Sequence, residues 1–155
     1  MYLEKLKLKG EFVLEVIGKE GVVKAFREVK NIITDVGKAQ VAGLINGVVT
    51  TPFKYIAIGS GTTSPTAGDT ALEAEVARKT ATVDRVTTNV TNDTAYLEAT
   101  FSSADGLSGS MSITESGVFD ADTGGNMLCR QTFDAVSVNW DAGDQLTIKW
   151  KIVVS

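Results

Sequence analysis

Two stretches, LKLKGEFVLEV near the start and QLTIKWKIVV near the end, alternate apolar and polar side chains almost without interruption. Successive side chains on an extended backbone point to opposite faces, so a period of two marks a half-buried β-strand. In the first stretch Leu6, Leu8, Phe12, Leu14 and Val16 share one face; Lys5, Lys7, Lys9, Glu11 and Glu15 lie mostly on the other. In the second, Leu146, Ile148, Trp150, Ile152 and Val154 alternate with Thr147, Lys149, Lys151 and Val153.

Turn chemistry divides the chain between these stretches. GKEG at 18–21 folds residues 5–17 onto 22–34 as a long antiparallel hairpin. Val41, Leu44, Ile45 and Val48 then follow i, i+3, i+4, i+7 spacing, which predicts a helix over about 35–47. Thr34 or Asp35 caps its start and Gly47 ends it. FKYIAIG at 53–59 reads as a buried strand, and a glycine-, serine- and threonine-rich loop follows. Leu72 and Val76, spaced i and i+4, predict a short helical piece near 70–77. Strands are expected over 79–90, from Ala95, from Ser110 and from Met127, parted by TNDT, DGLSG, DTGGN and DAGD. The expected fold is all-β: an antiparallel β-sandwich of about eight strands with one short helix. A single domain spans 1–155, its 1–34 hairpin packing on the 35–155 body or reaching a neighbouring subunit.

Composition removes several classes of function. The chain has no histidine, so the commonest general base and metal ligand is missing. Fifteen lysines and arginines against nineteen acidic residues give a net charge of −4 without a basic run, which argues against nucleic acid. No run approaches the roughly 18 apolar residues of a membrane helix, and the N-terminal stretch lacks an apolar signal core. The lone cysteine, Cys129, allows no intrachain disulfide and reads as a small buried hydrophobe.

The chemical motifs are incomplete. GSGTTSPTAG at 59–68 has glycines but no phosphate-binding lysine, and Asp69, Glu73 and Glu75 follow it. DADTGG at 120–125 opens like a calcium loop, yet Gln131 stands where a closing glutamate belongs, so a hairpin turn explains it. NVT and NDT at 89–94 match glycosylation sequons and equally match turn chemistry. Trp140 and Trp150 are expected in the core, with a sugar platform as the rival reading. No catalytic residue, cofactor or metal site is expected.

The order of these pieces resembles structural proteins of tailed bacteriophages, in particular the N-terminal domain of tail-collar and tail-fibre proteins. The resemblance rests on a strand ending in Gly59-x-Gly61, a Thr/Pro loop, then Thr70, Leu72, Glu75 and Arg78. A Glu115-x-Gly117-Val118-Phe119 step before a turn continues it, over about residues 30–135. It implies a non-enzymatic, self-associating virion protein assembled in the host cytoplasm, a homotrimer whose other partners are virion proteins. A capsid decoration protein is the alternative; a carbohydrate-binding or glycan-cleaving β-sandwich is the alternative from another class. Gly59, Gly61, Thr70, Leu72, Glu75 and Arg78 are the candidate interaction residues, with Glu75 and Arg78 paired in one chain or across two.

Overall fold

The computed structural model describes residues 4–155. The first hairpin is formed by β1 (Leu8–Ile17) and β2 (Val23–Ile33), paired antiparallel from Gly10 and Asn31 to Ile17 and Val23. β1 also pairs along its whole length with the last strand, β9 (Gln145–Val154), so the hairpin packs on its own body. Its even-numbered face supplies Phe12, Leu14 and Val16 to the core, opposite Trp150, Ile148 and Leu146 of β9. Leu6 lies before β1 and, contrary to the alternation, is 67% exposed.

Helix α1 (Asp35–Asn46) starts where its cap allows: the Thr34 hydroxyl accepts from the Gly37 N–H at 2.8 Å and donates to the Met127 carbonyl. Gly47, at φ +79°, ends it in the left-handed conformation. The expected apolar stripe is present but only partly covered. Val41 packs against the core, whereas Ile45 and Val48 are 73% and 81% exposed.

β3 (Tyr55–Gly59), β4 (Glu75–Thr80), β5 (Thr82–Val86), β6 (Thr94–Phe101), β7 (Ser110–Phe119) and β8 (Met127–Asn139) complete a nine-stranded sheet. Its order is β4-β3-β7-β8-β2-β1-β9-β6-β5, and every pairing is antiparallel. β4 and β5 close the two ends of this order, yet Ala81 alone separates them in sequence. The expected 79–90 strand is therefore two strands with different partners, β3 and β6, which raises the count from eight to nine. The corner is set by a long-range bond, Ala81 N–H to Lys54 carbonyl at 2.8 Å.

No helix forms over 70–77. Residues 70–74 are irregular and β4 begins at Glu75. The Leu72–Val76 spacing is met differently: Leu72 belongs to a small cluster with Ala57, Phe119 and Met127, while Val76 packs against the main core.

The main core gathers side chains from every strand but β5, with Trp150, Phe12, Trp140 and Phe101 its largest members. Phe12 meets Trp150 at 4.8 Å and Phe133 at 5.1 Å between ring centroids. Trp150 Nε1–H donates to the Ser116 hydroxyl, which donates to the Ala57 carbonyl, linking β9 to β7 and β3 through the interior.

Candidate functional site: a loop anchored on a buried charge cluster

Opposed residues in an antiparallel ladder share a face, so register shows what lies side by side. Arg78 of β4, Ala57 of β3, Gly117 of β7 and Arg130 of β8 form one such row. Two small residues between two arginines leave a shallow trough on the outer face of this half of the sheet. The 60–74 loop lies across it, held by Leu72 and by charge.

The charged anchor is Glu115, fully buried on β7. One carboxylate oxygen accepts the Gly61 and Ala74 N–H groups at 3.0 and 2.8 Å. The other accepts the Glu73 N–H at 3.1 Å and Arg130 Nε at 2.9 Å. Two donors on each oxygen fill the carboxylate's acceptor capacity, which is how a charge is kept in an interior. The Gly-x-Gly motif finds its reason here. A Cβ on Gly61 would stand 2.6 Å from a Glu115 oxygen, and one on Gly59 would stand 2.5 Å from it. Glycine lets the backbone itself reach the carboxylate.

Arg130, 3% exposed, carries the network outward. Besides Glu115, it contacts Asp69 at 3.0 Å and Glu73 at 3.7 Å. Partial burial raises the Asp69 carboxyl, but the Thr66 N–H and hydroxyl, with Arg130, outweigh it and hold the group below its ordinary range. The exposed Glu73 carboxyl is lowered as well, first by Thr63 and less by the Arg130 charge. Three carboxylates around one guanidinium thus fasten the loop at 61, 63, 66 and 73–74.

Glu75 and Arg78 pair within the chain at 2.7 Å. The Arg78 guanidinium lies 3.6 Å above the Phe119 ring centroid and donates to the Ala121 and Gly124 carbonyls at 2.9 and 2.7 Å. Of the six candidate interaction residues, Gly59, Gly61 and Leu72 are buried and Arg78 is almost covered. Thr70 and Glu75 remain on the surface. Sequence reasoning singled out Glu115 but missed Arg130. The available signal was a charge directly after three apolar residues of a strand, in MLCRQTF.

A family profile described as podophage GP4 fiber I protein gp80 matches residues 32–154, well over half of the chain. The chain belongs to the gp80 family. It is accordingly a phage tail fibre-type protein and a component of the virion. No curated protein and no solved structure matches it.

The matched segment of this gp80 chain contains the anchored loop, Glu115 and Arg130, and leaves out β1 and nearly all of β2. Its other conspicuous residues are structural. Trp140 and Trp150 are buried, so neither offers a platform for a sugar. The Asp120 carboxylate is taken by the N–H and side-chain amide of Asn126, at 2.7 and 2.9 Å, which makes DADTGG a hairpin turn. Cys129 is buried between strands, and its thiol is pushed far up by that burial. Asn92, in the NDT sequon, sits at φ +62° in a turn held by Asp93. Among the described residues, no group of three His, Cys, Asp or Glu side chains is arranged to hold a metal.

Proposed function

We propose that the protein is a non-enzymatic structural module of the fibre that self-associates as a homotrimer and joins other virion proteins through the 60–74 loop. We place it at an attachment end of the fibre, a reading supported by the sequence resemblance to tail-collar N-terminal domains. The observation that carries the proposal is the two-sided character of the loop. Its inner side is consumed by Glu115, Arg130 and Leu72, while Thr62, Thr63, Ser64, Thr70 and Ala71 face outward. A surface fixed from beneath loses little conformational freedom on binding, so weak contacts repeated across several copies add usefully.

Arg78 is a poor probe of this surface, because Arg78→Glu would break the Phe119 contact and release the 121–124 turn. Exposed positions are better. Sedimentation equilibrium of the wild type should give a trimer, and the double variant Ser64→Arg/Thr70→Arg should give a folded species of lower mass. A wild type that stays monomeric at high micromolar concentration would sink the self-association. A trimer untouched by the double variant would remove the loop from its interface.

A further inference from the structure

A second surface shares no lining residue with the loop. A groove of about 580 Å³ runs between α1 and the segment leading into β1. Leu6, Leu8, Val41 and Ile45 give it an apolar floor, with Leu6 and Ile45 among the most exposed large hydrophobic side chains of the described residues. Lys7, Lys9 and Lys38 line it too, and no acidic side chain does. None of the three lysines takes part in an ion pair among the described residues. A protein of net charge −4 thus concentrates three unpaired cations around one apolar depression.

We infer that this groove docks an acidic amphipathic helix of another protein. Apolar side chains of that helix would cover Leu6 and Ile45, and flanking Glu or Asp would meet the lysines, whose long stems allow the ammonium groups to reach over an apolar partner. Charge complementarity selects this occupant over the others. A second copy packed face to face through this groove would set the same lysine-lined patch against itself, a like-charge approach. A lipid surface asks for a convex face, and these residues line a concavity. Nucleic acid would leave the apolar floor uncovered.

The inference is independent of the loop surface, and its test uses the isotope-labelled full chain with synthetic probes. Three peptides of about 20 residues serve, long enough to hold a helix: one of leucine and glutamate at amphipathic spacing, one of leucine and lysine, and one with serine for leucine. The Leu/Glu peptide should shift the amides of residues 6–9 and 38–45. The other two should bind at least roughly tenfold more weakly. Ile45→Glu should weaken Leu/Glu binding by at least about tenfold, and Lys38→Glu should weaken it and reverse the preference toward Leu/Lys. Both positions are exposed, so the remaining amide spectrum should be unchanged; Ile45→Ser provides a neutral check of the same loss. Absent shifts, shifts confined to other residues, or equal binding of the two leucine peptides would each overturn the inference. So would a self-association abolished by Ile45→Glu, which would make the occupant a second copy, or displacement of the peptide by vesicles containing phosphatidylserine.

Discussion

The 60–74 loop and the α1 groove treat polarity in opposite ways. At the loop, charged Glu115 and Arg130 are buried while small polar residues form the surface. At the groove, aliphatic Leu6, Ile45 and nearby Val48 are exposed while lysines stand around them. One region spends its polar groups on itself and is closed; the other leaves its apolar groups without a cover. Residue type alone therefore does not separate inside from outside in this chain. What separates them is whether neighbouring strands bring a partner within bonding distance.

Breaking the closed region should cost the most. Removal of one member of a buried ion pair strands the other, with a typical loss of about 3–5 kcal/mol. Glu115→Ala and Arg130→Met should each lower the unfolding free energy obtained from urea titration by such an amount, and the double variant should cost less than the sum of the two. Strict additivity would show that the pair is not coupled. A smaller change tests the close approach: Gly61→Ala places a methyl 2.5 Å from Glu73 Cβ and should destabilise by about 1–3 kcal/mol. Equal stability would mean that the loop shifts freely and is not anchored.

The pH dependence sharpens the comparison further. Asp69 and Glu73 have folded-state pKa values below their ordinary 3.8 and 4.5. Their contribution is therefore complete above those ordinary values and is lost as pH falls through the lowered folded ones. The Thr63 and Thr66 amides, which donate to these carboxylates, should change shift only in that acid window, while amides of 41–48 stay constant. A midpoint at the ordinary carboxylate value would remove the anchor's electrostatic role. The smallest effect belongs to the open region. Ile45→Ser should alter stability by no more than about 0.5 kcal/mol, as expected for a side chain that covers nothing; a larger loss in the same urea measurement would reveal packing on its own chain.

Much of the fold was legible because strand alternation and turn residues are local. Phe12, Leu14 and Val16 declared a buried face, and Thr34 and Gly47 declared the ends of a helix. The errors share one cause. Leu72 and Val76 carry helical spacing, yet one is pulled onto Ala57 and Phe119 and the other into the main core. The corner at Ala81 depends on a carbonyl 27 positions earlier in the chain. Likewise, the stripe of Val41, Ile45 and Val48 was visible, but its spacing did not state that its outer part has no cover among the described residues. For the loop, Glu115 was legible as part of a motif; the four donors that explain it come from three separated places, Gly61, the Glu73–Ala74 pair and Arg130.

The neighbouring antiparallel strands β1 and β9 have one more consequence, a mechanical one. Lys7 and Ser155 exchange backbone hydrogen bonds in both directions, so the strands meet side by side at one end of the molecule. A tensile load entering at Lys7 and leaving at Ser155 acts on the ladder rungs in succession, like a zipper, instead of shearing all of them together. Under such a load the sheet yields rung by rung, whereas the 60–74 loop and α1 are joined directly, the Asp35 N–H donating to the Ala67 carbonyl at 2.8 Å, so a pull between them leaves the β1–β9 ladder unloaded.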